Sequence, residues 1–509
     1  MPGLPDALRS MARCAALGLA GAVLCVGVAR ADGPGLATVQ DSIARLSALI
    51  AQSKGSLPDA TALLQQAGLS DLLAPSAPTM PDLAPILWPH VDHPLEAQAM
   101  DMRLALTLLV QVAGATDSRA VQTAQGPGDA MRALVIRRGT ATLADVRRLL
   151  VELDLQARDS DAIEVPLVIW EGATLALAPG DSLRLSRPHG AFVANFGHLS
   201  MTGAAIERTG PPNPHLPRFA PFVATVGSGS LQVDASRFTG LGFGRTRPFA
   251  GVSLLRNTLM AERQRSFIRG SLFQDTVSLV IAASSDVTVI GNRFHDPRGQ
   301  GLILAGSPRA TVQSNIFAGR ATFNAIQVIE GSSDAVVSGN VVLGGEKSGI
   351  VVRSFSHRPY LANNIVWQRV GGGITVDRAD CANIHSNFVI ENSQKGIEVR
   401  SSAGSLVQGN HVMANRSAGI WISAQAPDAQ TFVVQNVLLA NSAGLATATG
   451  EQVMLSGNDF RGQFPRFLAG DLSRQSPHIA GNLDGATPLL LSAAGAAPIP
   501  GGMADCARN

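Results

Sequence analysis

An asparagine recurs about every two dozen residues in the second half of this chain, and this repeat restricts the possible folds more than any other feature. Successive members lie 23 to 26 residues apart, and they are Asn292, Asn315, Asn340, Asn364, Asn387, Asn410 and Asn436. In phase with them, a small residue opens an apolar-x-apolar triplet, as in Ile350-Val351-Val352, Ile374-Thr375-Val376 and Ile397-Glu398-Val399. A fixed period of this length indicates a solenoid, in which each repeat packs against the next.

Each repeat consists of short apolar runs and turn residues, without the helical stretch that a leucine-rich repeat would contain. We therefore predict an all-β solenoid, a right-handed parallel β-helix whose coils of about 24 residues stack at about 4.8 Å. The middle residue of each triplet should face outwards, and its apolar neighbours should fill the interior. The asparagines are expected at a corner, where they tolerate left-handed backbone and bond the equivalent asparagine of the next coil.

The β-helix is expected to span residues 131–490 and to be followed by a C-terminal tail, 491–509. Apolar spacing over Thr142 to Leu153 is helical and predicts a cap on the first coil. Residues 32–130 have three- and four-residue apolar spacing, including Leu95 to Val112, and predict a short helical N-terminal region. The apolar faces of these helices must be buried, either against one another or against the rest of the chain.

Residues 1–31 have the pattern of a secretory signal peptide. Arg9 and Arg13 precede an apolar stretch, and Ala29-Arg30-Ala31 forms a small-x-small cleavage site. The apolar stretch is short for a membrane span. We therefore expect export to the periplasm, with no membrane span after cleavage.

Charge and cysteine content restrict the partners. The 40 Lys and Arg residues against 38 Asp and Glu residues give a net charge of +2, which becomes zero once the signal peptide is removed. This balance argues against nucleic-acid binding, and no motif predicts a metal or another cofactor. After cleavage, Cys381 and Cys506 remain. They either form one disulfide or leave Cys381 as a buried small apolar residue, and the second interpretation is preferred.

The strand after each glycine corner should form a long groove, and two outward columns can be assigned along it. The first column is Val280, Ile303, Gln327, Val351, Thr375, Glu398 and Trp421. The second column is Ala282, Ala305, Ile329, Arg353, Asp377, Arg400 and Ser423. Because the early members are apolar, we expect a loop or the N-terminal helices to cover that end.

The charged members of the second column fall in three successive coils. Arg353, Asp377 and Arg400 should therefore be neighbours, with Glu398 beside them and Glu330 and Arg378 just past their strand ends. One interpretation is an ion-pair ladder worth roughly 0.2–1 kcal/mol per pair. The other is a binding site for an anionic sugar chain, because two cations flanking a carboxylate can hold a uronate. Under this second hypothesis Gln327 and Trp421 also contact the ligand, and Arg353, Asp377 and Arg400 are the candidate catalytic residues.

The coil frame resembles that of the periplasmic mannuronan C5-epimerases of alginate biosynthesis over about residues 131–445. The similarity rests on Ser348-Gly349-Ile350-Val351, Gly373-Ile374-Thr375, Lys395-Gly396-Ile397-Glu398-Val399-Arg400 and Arg218-Phe219-Ala220-Pro221-Phe222. This resemblance implies an exported enzyme that inverts C5 of mannuronate within the polymer and guides the polymer through the periplasm. The chemistry requires a cation for the carboxylate, a base for H5 and an acid on the opposite face.

The catalytic signature of that family, Asp-Pro-His-Asp, is not preserved. When the sequences are aligned on Gly301, the signature falls on Ile303-Leu304-Ala305-Gly306, and the carboxylate-binding arginine falls near Glu330. Three hypotheses follow. The chain is a relative with a shifted or lost active centre, an active epimerase or lyase that uses Arg353, Asp377 and Arg400, or a non-catalytic protein that guides polymer or scaffolds a secretion complex. The expected partners are an anionic polysaccharide and, through the N-terminal helices, proteins of polysaccharide synthesis or export.

Overall fold

Short strands recur on three faces of a solenoid in the computed structural model, which describes residues 35–52, 60–73, 93–113, 118–126, 132–244, 246–256 and 264–497. The strands of each face pair in parallel with those of the coils before and after. The first and second faces are joined through the long strand Arg132–Ala141, and the third face forms a separate sheet of 11 strands among the described residues. This confirms the predicted parallel β-helix.

The first face carries the predicted triplets. Its parallel strands are Arg132–Ala141, Leu167–Ile169, Val193–Asn195, Val223–Val226, Gly251–Leu255, Ser278–Ala282, Leu302–Ala305, Ile326–Ile329, Ile350–Arg353, Ile374–Asp377, Ile397–Arg400, Ala418–Ser423, Ala443–Ala448 and Leu468–Gly470. The strand Glu96–Asp101 pairs antiparallel with the first of them and closes that end.

The second face follows the first turn of each coil. Its parallel strands are Ala173–Leu177, His198–Thr202, Ser230–Asp234, Phe267–Arg269, Thr288–Ile290, Thr311–Gln313, Val336–Ser338, Tyr360–Ala362, Asn383–His385, Ser405–Gln408, Gln430–Val434 and Gln452–Ser456. The antiparallel strands Leu489–Ser492 and Gly495–Ala497 follow at the C-terminal end.

The third face completes each coil. Its strands are Ser182–Ser186, Ala205–Thr209, Arg237–Thr239, Leu272–Gln274, Arg293–His295, Ile316–Ala318, Val341–Leu343, Ile365–Trp367, Phe388–Ile390, His411–Met413 and Val437–Leu439. Short 3-10 turns lie at Arg247–Phe249 and Ser473–Gln475.

The asparagine ladder lies between the second and third faces. Each of these side chains is buried, and from Asn315 onwards its Oδ1 accepts bonds of 2.9–3.0 Å from the backbone N and the Nδ2 of the asparagine one coil earlier. The Oδ1 of Asn292, the first member, accepts from the backbone N of Ser271 at 2.9 Å. This confirms the predicted bonding. The left-handed backbone, however, belongs to the residue before each asparagine, such as Ser314 (φ 54°), Asn363 (φ 53°) and Ser386 (φ 52°). The asparagine side chain faces inwards because the preceding residue makes the bend.

A second ladder, which the sequence analysis missed, lies between the third face and the first face of the next coil. Asn392, Asn415, Asn441 and Gln463 repeat the same bonding pattern there. One coil earlier, the backbone N of Arg369 donates to Asn392. Both ladders satisfy the buried polar groups of corners where the chain makes no strand hydrogen bonds.

The N-terminal region is helical, as predicted, and it packs against two faces of the solenoid. The helices α1 (Leu36–Gln52) and α2 (Ala60–Gln66) cover the third face around Ile365, Phe388 and Ile390. The helices α3 (Met102–Val112) and α4 (Arg119–Ala124) cover the early coils of the first face. The expectation of helix from Leu95 was wrong, because the edge of the first coil recruits Glu96–Asp101 as a strand.

Helix α5 (Leu143–Glu152) closes the N-terminal end of the core, as the sequence predicts. Thr142 and Asp145 form a capping box at its start, and Leu143, Val146 and Leu150 join the solenoid interior. A further helix, α6 (Ser476–Ala480), lies near the C-terminal end of the described chain. Among the described residues, no helix combines the length and the apolar character that a membrane crossing requires. The predicted signal peptide lies outside the described residues.

Cys381 differs from the preferred prediction. It is only half-buried and is disulfide-bonded, so it is not a free thiol packed as a small apolar residue. Cys506, the predicted alternative partner, lies outside the described residues, as do Cys14 and Cys25. Cys381 lies at a turn with φ 57°, and a turn position on the surface leaves the sulfur accessible for pairing.

Candidate functional site

The two predicted columns are in register along the first face. In the first column, Val351 pairs with Thr375, Thr375 with Glu398, and Glu398 with Trp421. In the second column, Arg353 pairs with Asp377, Asp377 with Arg400, and Arg400 with Ser423. Residues that are about 24 positions apart in the chain are thus neighbours on one surface, as the repeat predicts.

The early end of both columns is covered. Met102, Leu106 and Leu109 of α3 pack with outward residues of the first coils, including Val168 and Ala224. Aromatic side chains from the turns complete the cover, and they are Phe192, Phe219, Phe222 and Phe249. This confirms that a loop and the N-terminal helices cover the apolar end. The groove is therefore open only from about Ile303 onwards.

A cleft of about 510 Å³ lies where the cover ends. Its lining residues are Phe243, Gly244, Arg247, Ala250, Val277, Ser278, Val280, Arg298, Gly299, Gln300, Ile303, Phe323, Gln327 and Ile329. This lining is mostly apolar, and it also contains the guanidinium groups of Arg247 and Arg298 and the amide groups of Gln300 and Gln327. Sequence reasoning found Gln327 but missed Arg247 and Arg298, because both lie in turns outside the repeating frame.

Arg298 is held rigidly at the cleft wall. Its Nη2 donates to the carbonyl oxygens of Leu241 and Gly242 at 3.0 and 2.9 Å, and its Nε lies 2.9 Å from Oδ1 of Asp275. Burial lowers the pKa of Arg298, and the Asp275 carboxylate opposes that shift. Since an arginine stays protonated near neutrality, the cleft retains a fixed positive charge.

Arg247 lines the cleft together with Ile329 of the second column. Its guanidinium contacts Glu330 Oε1, and both side chains are about half exposed. Glu330 is the first residue after Ile326–Ile329 and occupies a left-handed turn position with φ 57°. The alignment places a glutamate, Glu330, where the family has an arginine. In this chain Arg247, from another segment, supplies a guanidinium group next to that position.

Proton-transfer groups are absent from the described lining of the cleft. Ile303 and Ala305, which stand where the family signature is expected, lie on the strand Leu302–Ala305 without any titratable side chain. Among the described lining residues there is no carboxylate, imidazole or phenol. The cleft can bind an anion through its guanidinium groups, but this lining supplies no base for H5 abstraction.

The predicted charged cluster lies further along the groove. Arg400 Nε is 4.0 Å from Asp377 Oδ1, and Arg378 Nη2 is 3.4 Å from Asp377 Oδ2. Within the described chain, the guanidinium of Arg353 has no ion pair and no hydrogen bond, and it is exposed. Asp377 is therefore weakly paired with Arg378 and Arg400, and the guanidinium of Arg353 is available to a ligand.

A ladder of bidentate ion pairs lies at the turn after the first face, in the coils from the strand Ser278–Ala282 to the strand Ile350–Arg353. Arg309 donates to Asp286 at 2.8 and 2.6 Å, and Arg358 donates to Asp334 at 2.7 and 2.9 Å. These bonds lower the pKa of both aspartates. The contrast matters, because the cluster of Arg353, Asp377 and Arg400 lacks such bidentate geometry. The interpretation as a purely stabilising ion-pair ladder therefore fits the Arg309–Asp286 and Arg358–Asp334 pairs better than it fits the cluster in the groove.

Glu398 and Trp421 share one partner that the sequence analysis did not assign. Lys395 Nζ lies 2.6 Å from Glu398 Oε1 and 4.7 Å from the centroid of the Trp421 ring. Lys395 comes from the turn before the strand Ile397–Arg400, so its side chain reaches over the first column. Its spacing of three residues from Glu398 is the signal that could have identified it.

The predicted site residues thus form two groups. Gln327 lines the cleft and is only 4 % exposed, and Glu330 contacts Arg247 of the lining. The second group follows one to four coils later, and its members are Arg353, Asp377, Arg378, Glu398, Arg400 and Trp421. The roles of all these residues in binding or catalysis remain predictions.

Comparison with known proteins agrees with this architecture. Residues 277–438 match the family described as the right handed beta helix region. The chain is 27 % identical over 281 residues to a mannuronan C5-epimerase of Pseudomonas putida, covering 50 % of this chain and 52 % of that protein. It is 24 % identical over 272 residues to the mannuronan C5-epimerase AlgG of Azotobacter vinelandii, with the same coverage.

The fold is also similar to that of a solved epimerase. The crystal structure of the periplasmic alginate epimerase AlgG covers 78 % of this chain and 98 % of its own, with a TM-score of 0.50 and 17 % identity. A mutant of the same epimerase gives a TM-score of 0.51 and 18 % identity with the same coverage. The resemblance to mannuronan C5-epimerases is thus confirmed, although the chain spans about half the length of the curated relatives that it matches.

Proposed function

We propose that this protein is an exported β-helix protein that binds an anionic polysaccharide along the open part of its first face during exopolysaccharide synthesis or export. The observation that carries the proposal is the second column, where two exposed arginines, Arg353 and Arg400, lie two coils apart, and the Arg353 guanidinium has no partner among the described residues. Guanidinium groups bind carboxylates with bidentate geometry, and exposed arginines in a groove keep that capacity free.

Local charges must supply the attraction in this proposal. The predicted mature chain has no net charge, so the protein as a whole does not steer an anionic polymer. The groove, in contrast, presents the cations of Arg353, Arg378, Lys395 and Arg400 against the carboxylates of Asp377 and Glu398. A polymer that lies along the solenoid axis meets this excess of positive charge directly.

A carbohydrate isomerase of the mannuronan C5-epimerase type is the second candidate function. The similarity to two such epimerases over half of the chain supports it. In this case Asp377, flanked by Arg353 and Arg400, would take H5 from the sugar, and a group on the opposite face would return a proton. The described cleft lining supports binding more than catalysis, because it contains guanidinium and amide groups without a base. A polysaccharide lyase would use the same base and then break the glycosidic bond.

Deuterated water distinguishes these candidates. The protein is incubated with polymannuronate, and binding is measured in parallel by calorimetry against polymannuronate, hyaluronan and neutral dextran. Binding of an anionic polymer without deuterium at C5 and without ultraviolet absorbance from an unsaturated sugar supports the binding function. Deuterium at C5 supports the isomerase, and new absorbance supports a lyase. If neither anionic polymer binds, the proposed function is wrong.

A matched pair of variants tests whether any exchange depends on the groove. Asp377→Asn should abolish the incorporation of deuterium if Asp377 is the base. Asp159→Asn changes an exposed aspartate of the loop after α5 and should leave incorporation unchanged. Exchange that persists in Asp377→Asn would exclude Asp377 as the base.

The N-terminal helices are also part of the proposal, as a contact surface for synthesis or export proteins. Their apolar residues already pack on the solenoid, for example Leu46 and Leu64 on the third face. A partner would therefore contact their polar outer sides. The periplasm, where the predicted signal peptide directs the chain, is the proposed location.

A further inference from the structure

We infer that Phe355 is a sugar-binding residue at the rim of the groove, on which one face of a sugar ring stacks while the arginines hold the carboxylate. This inference rests on the proposed function and adds an apolar contact to its charges. Phe355 follows Arg353 by two residues, at the turn where the first face ends. Its backbone N donates to the carbonyl oxygen of Arg378 at 2.8 Å, so it lies beside the charged cluster.

The side chain of Phe355 is turned towards solvent. The residue is 62 % exposed, whereas a phenylalanine is usually buried. The next residue, Ser356, is fully buried, and its Oγ accepts from the backbone N of Ser332 at 3.1 Å and donates to the carbonyl oxygen of Arg353 at 3.0 Å. The turn therefore holds Phe355 between an outward arginine and an inward serine, which keeps its ring at the rim of the groove.

The backbone conformation of Phe355 is unfavourable for this residue type. Ser354 and Phe355 are both left-handed, with φ 60° and 63°, a region that disfavours side chains with a Cβ and bulky ones most. In the coil before, the equivalent residue is Gly331 with φ 76°, and its backbone N donates in the same way to Ser354 at 3.0 Å. Folding alone would favour glycine here. An exposed phenylalanine in this conformation therefore indicates a ligand contact.

His357 stands beside the Phe355 ring and is itself held in place. The two ring centroids are 6.2 Å apart, with the planes at 48°. The backbone N of His357 donates to Ser333 Oγ at 3.1 Å, and its Nδ1 accepts from the backbone N of Asp380 at 3.0 Å. The aromatic surface at the rim thus has a fixed neighbour, and a ligand that packs on it orders few side chains, which favours affinity.

The chemistry of this rim suits a uronate. A sugar ring presents hydroxyl groups at its edge and C–H groups on its faces, and such faces pack on the electron-rich face of an aromatic ring. The Arg353 guanidinium, which has no partner within the described chain, takes the carboxylate of the same sugar or of its neighbour. Phe355 thereby distinguishes a sugar chain from other polyanions, which the arginines alone attract as strongly.

Calorimetric titration with a short oligomannuronate and with poly-L-glutamate, a polyanion without sugar rings, tests the inference. Phe355→Gly removes the ring and suits the left-handed backbone. This variant should melt no lower than the parent and yet bind oligomannuronate about tenfold more weakly, with its affinity for poly-L-glutamate unchanged. Phe355→Trp keeps an aromatic ring and should bind oligomannuronate at least as tightly as the parent.

Phe464→Ala is the matched control. Phe464 is 66 % exposed, and it lies just before the strand Leu468–Gly470, five coils beyond the strand Ile350–Arg353. At about 4.8 Å per coil this is about 24 Å along the axis, so the affinity for a short oligomannuronate should not change.

The possible results separate this inference from the proposed function. If Phe355→Gly binds oligomannuronate like the parent, or if its affinity for poly-L-glutamate falls equally, the inference is wrong and the proposed function stands. A lower melting temperature of Phe355→Gly, or an equal loss of binding in Phe355→Trp, would assign the ring a structural role and also overturn the inference. If the parent itself binds no anionic oligosaccharide, both are wrong.

Discussion

Replacing Asn364 by alanine should destabilise the solenoid more than any comparable polar substitution on its surface. The side chain is fully buried, and its Oδ1 accepts bonds from the backbone N and the Nδ2 of Asn340, both at 3.0 Å. Its Nδ2 donates to the Val337 carbonyl at 2.8 Å and to Asn387 Oδ1 at 2.9 Å. At about 1 kcal/mol for each of these bonds, the substitution should cost about 4 kcal/mol.

Two measurements check this value. Urea unfolding gives the global free energy of unfolding, and hydrogen exchange reports the amide of Asn340, which loses its acceptor. Because a solenoid can open locally, faster exchange at that amide is expected even where the global transition broadens. The control is Asn383→Ala, since the Oδ1 of Asn383 has no hydrogen-bond partner among the described residues. A cost below about 1 kcal/mol, or one equal to that of the control, would refute the claim that the ladder holds the coils together.

Two further predictions concern charge. Burial lowers the pKa of His411 from its usual 6.5, so the unfolded chain binds more protons than the folded protein in acid, and stability should fall as the pH drops below 6.5. His411 stacks on Phe388 with centroids 4.7 Å apart, and His411→Phe should reduce this acid loss relative to the parent, measured as the melting temperature at pH 7 and pH 5. An unchanged acid loss would contradict the assignment. The exposed pair of Arg358 and Asp334 should contribute less than about 1 kcal/mol in a double-mutant cycle, and a larger coupling would show that the turn ladder stabilises the fold substantially.

The sequence was sufficient to predict the β-helix and the register of its first face. This was possible because a solenoid converts a fixed repeat in the chain into a fixed spacing in space. The positions of Arg353, Asp377 and Arg400 therefore followed from counting residues. The prediction placed the left-handed residue of each corner at the asparagine, which is one residue too late. The asparagine is the residue that the repeat makes visible, but it is buried, and the residue before it makes the bend. The second ladder was missed because its first position is an arginine, Arg369.

The cleft could not be predicted in the same way. Arg247 and Arg298 lie outside the repeating frame, and nothing in the period relates them to Ile303. The sequence pattern also could not decide whether Cys381 forms a disulfide, because a cysteine at a turn and a cysteine in the core have the same local sequence signal. The cleft and the disulfide depend on contacts between segments outside the repeat, and the spacing between repeated residues carries no information about such contacts.

Arg369 is a buried arginine whose charge is stabilised by backbone carbonyl groups. It is buried, and its guanidinium donates to the carbonyl oxygens of Lys347 and Phe323 at 2.6 and 2.7 Å. Burial lowers its pKa to about 10, so it remains charged near neutrality. Backbone carbonyls from two earlier coils replace the carboxylate that a buried arginine usually pairs with. Arg369 thus fixes the edge of the groove next to the cleft.

The binding of an anionic oligosaccharide to the double variant Arg353→Ala/Arg400→Ala, titrated over a range of salt concentrations, tests the central claim most directly. With two charge-assisted contacts at about 1.5 kcal/mol or more each, the variant should bind about a hundredfold more weakly and with less dependence on salt. The control Arg158→Ala removes an exposed arginine of the loop after α5 and should bind like the parent. Unchanged affinity in a folded double variant would contradict the claim that this column holds the polymer.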